Sequence, residues 1–196
     1  MGKIVVTEFV SLDGVMEDPG GSEGTPQGGW AFKFDRGPEG DRYKLDELMD
    51  AEAMLLGRVT YEGFAQAWPG RDDEQGFAKR MNGMPKYVVS STIENPSWEN
   101  TTVLRGDAAS EVAELKRKVD GNILVAGSTS LVHALHDAGL VDEYRLMIYP
   151  AVLGGGKRLF RDGASAAAYE PVEVRQSAQV ALVTLRQGSE GGAAAA

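Results

Sequence analysis

The segment of residues 123–135 combines an apolar run, a glycine and small hydroxyl side chains, and this combination suits the binding of a phosphate group. The apolar residues before Gly127 predict a buried strand, and those after Ser128 predict a helix. Gly127 has no Cβ, so a ligand can approach its backbone closely, and the first N–H groups of a helix attract anions. An ordinary connection with a cap from Ser128 or Thr129 explains the same residues, so both interpretations stay open.

A second connection of the same kind adds an arginine. Leu56 ends a predicted strand, Gly57 follows it, and Arg58 stands at the start of a predicted helix. A cation is unfavourable there unless an anion lies nearby, and a planar guanidinium suits a phosphate; the alternative is a solvated surface arginine. A third predicted strand ends at Ser90 and Ser91, whose hydroxyls suit a ribose or a phosphate. Three such strand ends fit the rule that ligands of open α/β sheets bind at the carboxyl ends of the strands.

Three segments, in this order and spacing, resemble the dihydrofolate reductase-like superfamily. They are similar above all to the reductase (C-terminal) domain of the bifunctional deaminase-reductase of bacterial riboflavin biosynthesis. The segments are Ser11-Leu12-Asp13-Gly14, Leu56-Gly57-Arg58-Val59-Thr60-Tyr61-Glu62 and Val125-Ala126-Gly127-Ser128. Residues 143–160, with three consecutive glycines, also look like this group, and the resemblance covers nearly the whole chain except its tail.

The resemblance implies an α/β fold of three layers, in which helices cover both faces of a mixed sheet that ends in an antiparallel hairpin. It also implies NADPH as the cofactor and a homodimer as the assembly. The residues implied for the side of the adenosine 2′-phosphate are Gly57, Arg58, Thr60, Ser90 and Ser91. Those implied for the diphosphate are Gly127, Ser128, Thr129 and Ser130, with Leu131 beside them. The nicotinamide would lie by Asp13, Gly14 and Val15. The sequence has Ser128-Thr129 where the family usually has a second glycine.

Asp41 is the first candidate for a proton donor. Dihydrofolate reductases carry a buried carboxylate on the helix before the Gly-Arg turn, and counting back from Gly57 without a gap gives Asp41. Helical spacing places Asp41 on one face with three apolar residues that we expect to face the core, Leu45, Leu48 and Met49. The structural alternative is an acid in the first helical turn that favours the helix dipole.

Other side chains carry less specific signals. Asp13 is a second candidate acid, although with Gly14 it also suits a turn. His133 and His136 share a predicted helix without further ligands nearby, so we expect no metal site. A group of aromatic residues suits either a planar substrate, a lid or a dimer contact: Trp30, Phe32 and Phe34.

The elements that must position these residues alternate along the chain. The predicted strands cover residues 3–11, 54–56, 86–91, 101–105, 123–126, 143–153, 169–176 and 179–187. The predicted helices run from Pro38 to about Ala53, from Val59 to before Pro69, within 71–82, after Asp107, and over 128–138. Residues 12–29 predict a long loop. This order predicts one domain over residues 1–188, followed by a disordered tail at 189–196.

The composition argues against several classes of function and kinds of site. A net charge of −9 disfavours nucleic-acid binding, and no apolar run is long enough to predict a membrane span. The absence of cysteine excludes disulfides and thiolate metal sites, and no signal peptide is recognised, so we expect a cytoplasmic protein.

The sequence therefore predicts an NADPH-dependent reductase of a small planar heterocycle or of a carbonyl or imine compound. One alternative is the reductase of a phosphoribosylamino-uracil in riboflavin biosynthesis, which needs basic residues for the substrate phosphate; Lys33, Lys157 and Arg158 are the candidates. The other alternative is a ligand-binding protein that keeps the fold without catalysis.

Overall fold

A computed structural model describes residues 1–188, and the predicted tail at 189–196 lies outside the described residues. The strands are β1 (Lys3–Ser11), β2 (Ala51–Gly57), β3 (Lys86–Val89), β4 (Thr101–Leu104), β5 (Asn122–Ala126), β6 (Val141–Tyr149), β7 (Tyr169–Ser177) and β8 (Val180–Gln187). They form one sheet in the order β4-β3-β2-β5-β1-β6-β8-β7. All neighbours from β4 to β6 are parallel, and β8 pairs antiparallel with both β6 and β7. The predicted mixed sheet with a terminal hairpin is confirmed.

Helices cover both faces of this sheet, as predicted. They are α1 (Gly37–Asp50), α2 (Arg58–Ala67), α3 (Phe77–Gly83), α4 (Ala108–Lys118) and α5 (Thr129–Asp137). Successive side chains of β1 point to opposite faces of the sheet. Ile4 and Val6 therefore pack in a core with α4 and α5, and Val5 packs in a core with α1, α2 and α3. None of the helices in the described part of the chain has the length and apolar character needed to cross a membrane.

The predicted phase and end of α1 are wrong. The helix ends at Asp50 and β2 begins at Ala51, whereas the sequence predicted helix to about residue 53 and a strand only over 54–56. Met49 is 43% exposed, and the buried side chains of α1 include Glu47 and Leu48. The reason is that α1 packs partly on polar strand residues, so its buried face is not its most apolar face. Strand β6 also ends earlier than predicted, at Tyr149, directly before Pro150.

The long loop and the aromatic group pack together near β6. Trp30 begins a short 3-10 helix (Trp30–Lys33), is buried, and donates its indole N–H to the carbonyl of Glu17 at 2.9 Å. Phe34 packs edge-on against Tyr149, with 6.1 Å between ring centroids, whereas Phe32 is 80% exposed. The predicted aromatic group is therefore divided between the core and the surface.

Asp18 organises the predicted loop at residues 12–29. Its buried carboxylate accepts hydrogen bonds from the N–H groups of Glu23 and Thr25 and from the Thr25 hydroxyl, each at 3.0 Å. Burial alone would raise the pKa of Asp18, but these hydrogen bonds outweigh it and lower the pKa. A single buried side chain thus hydrogen-bonds two residues of this loop and stabilises its conformation.

Candidate functional site

The two glycine turns that the sequence singled out lie against each other. Because β2 and β5 are parallel neighbours, α2 and α5 both begin at the same edge of the sheet. The N–H of Gly57 donates to the Ser128 hydroxyl at 2.8 Å, and the N–H of Ser128 donates to the Thr60 hydroxyl at 2.9 Å. These reciprocal hydrogen bonds hold the first turns of both helices together.

Gly127 is held in a conformation that favours glycine. Its φ is +59°, and a Cβ there would lie 3.0 Å from Oγ1 and 3.1 Å from Cγ2 of Thr60. Ser128 also has a positive φ, at +63°, and its hydroxyl is used across the turn rather than on its own helix. Capping by the Ser128 hydroxyl, one of the two interpretations of the sequence, is therefore not observed.

Neither α2 nor α5 has a side-chain cap at its amino end within the described chain. By contrast, α4 is capped, since the Asp107 carboxylate accepts the N–H of Ser110 at 3.0 Å. Uncapped first turns leave N–H donors for an external acceptor. The two helix dipoles also place positive potential at the same point. The arrangement can bind an anion such as a diphosphate.

Arg58 and the ends of β3 and β4 form a cavity of about 360 Å³ beside this pair of turns. It is lined by Arg58, Val89, Ser90, Ser91, Thr92, Arg105 and Gly106. Arg58 forms an exposed ion pair with Glu62 at 2.9 Å, and the Arg105 guanidinium donates to the Ile93 carbonyl at 2.7 Å. Ser90 is buried, and its hydroxyl accepts the N–H groups of Thr92 and Ile93, each at 3.2 Å. Ser90 therefore shapes the wall of the cavity, while Ser91 lies on its exposed rim.

The sequence missed Arg105, which is the second cation of this cavity. The available signal was its position directly after β4, a further strand end beside the one that carries Ser90 and Ser91. Using that signal required knowledge that β4 pairs with β3.

A second cavity, of about 340 Å³, lies at the start of α5 beside the loop that follows β6. It is lined by Thr129, Ser130, His133, Gly156, Lys157, Arg158, Arg161 and Asp162. Two of the three basic residues that the sequence proposed for a substrate phosphate, Lys157 and Arg158, lie here. The third, Lys33, belongs to the 3-10 helix instead. Leu131 lies in the apolar core below this region.

Asp13 ties the end of β1 to the loop after β6. Its carboxylate accepts the Ser11 hydroxyl at 2.6 Å and the N–H groups of Leu153 and Gly154 at 3.1 and 2.8 Å. These hydrogen bonds, that of Ser11 foremost, lower the pKa of Asp13 to about 2. The carboxylate thus holds the two loops together, and its role as a catalytic acid stays a prediction.

Gly14 and Val15 lie beside the same loop. Gly14 has a φ of +81°, and its carbonyl accepts the N–H of Leu159 at 2.9 Å. Val15 is buried and forms a β-bridge with Arg158, which lines the second cavity. The predicted nicotinamide residues are therefore adjacent to that cavity, and their contact with a cofactor stays a prediction.

Asp41 is not brought to the paired turns. Its side chain is 55% exposed and forms an ion pair with Arg36 at 2.6 Å. Its role as a proton donor also stays a prediction.

Two buried carboxylates that the sequence did not single out are Glu8 on β1 and Glu47 on α1. Within residues 1–188, Oε1 of Glu8 and Oε2 of Glu47 are buried without a hydrogen-bond partner. Burial raises the pKa of Glu8 well above its ordinary value, although Lys44 and the N–H of Gly127 act in the opposite direction. Unpartnered buried oxygens are rare in folded proteins and call for an explanation.

The histidines contact the protein itself. His136 is buried, with Nδ1 at 3.0 Å from the Tyr144 hydroxyl and Nε2 at 2.8 Å from the Ser165 carbonyl. Nε2 of His133 lies 2.8 Å from the Arg158 carbonyl. Among the residues that the structure describes, no group of three or more His, Cys, Asp or Glu is arranged to hold a metal ion.

Comparison with known proteins gives a consistent pattern. The family model of the RibD C-terminal domain matches residues 2–183. The uncharacterized protein YyaP of Bacillus subtilis (strain 168) is 29% identical over 192 residues, which is 96% of this chain and 90% of YyaP. The uncharacterized protein YwjB of the same organism is 28% identical over 163 residues, or 82% of this chain and 83% of YwjB.

One solved structure shares the fold. It is a Shewanella sp. PV-4 protein that is provisionally named as a riboflavin biosynthesis protein, with a TM-score of 0.74 and 19% sequence identity. The similarity covers 95% of this chain and 99% of that one. At this identity the likeness concerns the fold alone.

Proposed function

The chain belongs to the family of RibD C-terminal domains, and on that premise we propose that it is an NADPH-dependent reductase of a small planar heterocycle or of a carbonyl or imine compound. The observation that carries the proposal is the pair of uncapped helix starts, joined through Gly57, Thr60 and Ser128. A dinucleotide diphosphate has the charge and the acceptor oxygens that these two helix ends lack.

The cavity at Arg58 and Arg105 supports a cofactor with a 2′-phosphate. Two guanidinium groups line it, and within residues 1–188 neither forms an ion pair with a buried carboxylate; Arg58 pairs with the half-exposed Glu62. Guanidinium groups bind phosphate oxygens in a planar, two-pronged geometry. The hydroxyl of Ser91 on the rim supplies a further donor.

When bound, NADPH supplies a hydride to the substrate. The residues of this chain bind and orient it: the first turns of α2 and α5 hold the diphosphate, and Gly14 and Val15 lie where the reactive end is expected. Asp13 keeps the loops on either side of that point together through its contacts to Ser11 and Gly154.

The test is a fluorescence titration with NADPH and with NADH. Arg58→Ala should weaken NADPH binding about tenfold or more and leave NADH binding almost unchanged, because only NADPH carries the 2′-phosphate. Arg42→Ala removes an exposed arginine of α1 that pairs with Asp46 and serves as the matched control. An equal loss for both cofactors would reject the role of Arg58 at the 2′-phosphate. Binding without turnover of any pterin, flavin or quinone would instead favour the non-catalytic alternative.

The riboflavin-type reduction of a phosphoribosylamino-uracil is a second candidate. The observation that favours it is the cavity at the start of α5, which carries three cations, Lys157, Arg158 and Arg161, for a substrate phosphate. Turnover of the phosphorylated substrate should exceed that of its dephosphorylated form, and Arg161→Ala should remove the difference. Equal rates for both forms would leave only the broader reductase.

A homodimer and a cytoplasmic location belong to the same proposal. Light scattering of the purified chain at two concentrations tests the assembly. A mass equal to that of one chain at both concentrations would reject the dimer.

A further inference from the structure

A small polar cluster lies buried between α1 and the middle of β1. The Lys44 ammonium donates a hydrogen bond to the Thr7 hydroxyl at 2.6 Å and forms an ion pair with Glu47. The Thr7 hydroxyl in turn donates to Oε1 of Glu47 at 2.7 Å. The side chains of Lys44 and Glu47 are 17% and 3% exposed, so the pair is largely removed from water.

Strand pairing places this cluster beside the proposed cofactor site. Thr7 pairs with Ala126, the residue directly before Gly127, so the cluster is one strand away from the turn that would hold the diphosphate. Phe9 follows Thr7 on the same face of β1. The Lys44 ammonium lies 5.0 Å from the centroid of the Phe9 ring, and the Arg36 guanidinium lies 5.8 Å from it. An aromatic ring with a cation above it therefore adjoins the carboxyl end of β1.

Stability alone does not explain this arrangement. The desolvation of a buried ion pair offsets most of its attraction, so an apolar pair of similar volume would stabilise the fold as well or better. The cluster also leaves Oε2 of Glu47 buried without a partner in the described chain. A second carboxyl group, that of Glu8, lies close enough to interact electrostatically with both Lys44 and Glu47.

From this geometry we infer that Lys44 is the catalytic proton donor of the reduction and binds the oxygen or nitrogen of a planar carbonyl or imine acceptor. Thr7 and Glu47 are its positioning residues. An ammonium carries three hydrogens; within residues 1–188, Thr7 and Glu47 take two of them. The third is available to the acceptor atom as negative charge develops there. The inference deepens the proposed reductase function and rests on it.

The step balances as a two-electron reduction. The acceptor carbon receives a hydride from NADPH, which is oxidised to NADP⁺, and forms a C–H bond, while the π electrons of the C=O or C=N bond move to the heteroatom. An N–H bond of Lys44 breaks as the heteroatom gains its proton. The neutral amine then takes a proton from water, which reaches the exposed part of the Lys44 side chain.

The first test needs neither NADPH nor turnover. Nitrophenol is a planar probe that ionises near neutral pH, and its phenolate has a visible absorption band. If Lys44 binds a developing oxyanion, the wild-type protein should bind the phenolate at least about tenfold more tightly than the phenol. Lys44→Met and Lys44→Gln should both lose this preference, Lys44→Arg should keep part of it, and Lys79→Met, which removes an exposed lysine of α3, should keep all of it.

Two results of this test would overturn the inference: no preference for the phenolate in the wild-type protein, or an unchanged preference in both the Met and the Gln variants. The probe binds without cofactor, so a failure to bind NADPH would reject the proposed reductase while a Lys44-dependent phenolate preference would still stand. The two failures are therefore distinguishable.

The second test compares two hydride acceptors with NADPH present. Phenanthrenequinone needs a proton when its carbonyl is reduced, whereas the N-methylacridinium cation accepts a hydride without one. Lys44→Met should lower kcat with the quinone by about 100-fold or more and leave kcat with the cation within about threefold, because general acid catalysis matters only for the first. An equal loss with both acceptors would show that Lys44 is structural, and a wild-type protein that binds NADPH but reduces only the cation would also overturn the inference.

Discussion

In the part of the chain that the structure describes, buried polar groups have hydrogen-bond partners at one end of the parallel strands and lack some of them toward the other end. At the amino end, the buried Lys86 ammonium donates to the carbonyls of Asn82, Met84 and Glu99 at 2.6, 2.8 and 3.1 Å. At the carboxyl end, α2 and α5 begin without side-chain caps within the described chain. Between that end and the middle of β1, the buried carboxylates of Glu8 and Glu47 each leave one oxygen without a partner in residues 1–188. A buried group that is fully hydrogen-bonded supports the fold, whereas unmet donors and acceptors mark a place for a ligand or for chemistry.

Lys116 repeats the pattern of the amino end. Its ammonium donates to the Leu140 carbonyl at 3.2 Å and to the Asp142 carboxylate at 2.5 Å. The same oxygen of Asp142 accepts the N–H of Ile4 at 2.7 Å, so the start of β1 is held by this network. Hydrogen-bond networks of buried lysines thus stabilise the amino end. We expect substitutions there to lower stability without weakening the binding of NADPH.

The largest effect on stability is expected for Lys86→Met. It leaves the carbonyls of Asn82, Met84 and Glu99, of which that of Met84 is buried, without their donor and should lower the free energy of unfolding by about 2–4 kcal/mol. NADPH binding, measured on the folded fraction, should stay within about twofold. Urea unfolding and fluorescence titration measure the two quantities. If Lys86→Met lowered the free energy of NADPH binding by more than it lowered the free energy of unfolding, the proposed difference between the two strand ends would be contradicted.

The pH dependence of stability gives a sharper test of the same lysine. Burial lowers the pKa of Lys86 from 10.5 to about 8, with Glu99 acting in the opposite direction. Between these two values the unfolded chain binds more protons than the folded chain, so the free energy of unfolding should rise with pH across this window. The rise should be on the order of 1–3 kcal/mol and should disappear in Lys86→Met. A flat wild-type profile would contradict the burial of a charged Lys86.

At the carboxyl end, Gly127→Ala should damage binding more than folding. Its added Cβ meets Thr60 at 3.0 Å in a backbone conformation that L-residues adopt rarely, so we expect a loss of about 1–2 kcal/mol in stability. NADPH binding should weaken by about tenfold or more, because the turn must shift away from Thr60. Gly63→Ala in α2, where no atom of residues 1–188 lies within 4 Å of the new Cβ, is the matched control and should leave binding unchanged. Equal effects of both variants would argue against a role for the turn.

Glu8→Gln should have a smaller effect that depends on pH. Because burial raises the pKa of Glu8 above its ordinary value of 4.5, the folded chain holds a proton that the unfolded chain releases. The free energy of unfolding should therefore fall as the pH rises above about 4.5, and Glu8→Gln should remove about 1 kcal/mol of this decline. Chemical unfolding at several pH values measures it, with the exposed Glu94→Gln as the control. A parallel decline in both variants would show that Glu8 is not the group responsible.

The two ends also differ in how far the sequence predicts them. Gly57 and Gly127 each follow an apolar strand directly, so local pattern alone identified both turns and their place at one edge of the sheet. The hydrogen bonds between Ser128, Gly57 and Thr60 depend on which strands are neighbours, and a single sequence does not specify that order. Arg105 was missed for the same reason.

The buried cluster of Thr7, Lys44 and Glu47 could not be predicted from the local sequence pattern. The phase of α1 was predicted from its apolar residues alone. That phase placed Met49 in the core and gave no reason to expect that Lys44 and Glu47 are buried. Their burial depends on Thr7, a polar residue on the strand beneath, so a tertiary contact overrode the helical pattern. The surroundings of Glu8 likewise depend on a tertiary contact, that of its carboxyl group with the N–H of Gly127.

The central claim is that the joined starts of α2 and α5, with the cavity at Arg58 and Arg105, bind NADPH. Calorimetric titration of NADPH and NADH against the wild-type protein and the Arg58→Ala/Arg105→Ala double variant tests it most directly. The account predicts that the wild-type protein binds NADPH at least about tenfold more tightly than NADH and that the double variant binds both with nearly equal Kd. No heat of binding for either cofactor, or an unchanged preference in the double variant, would contradict it.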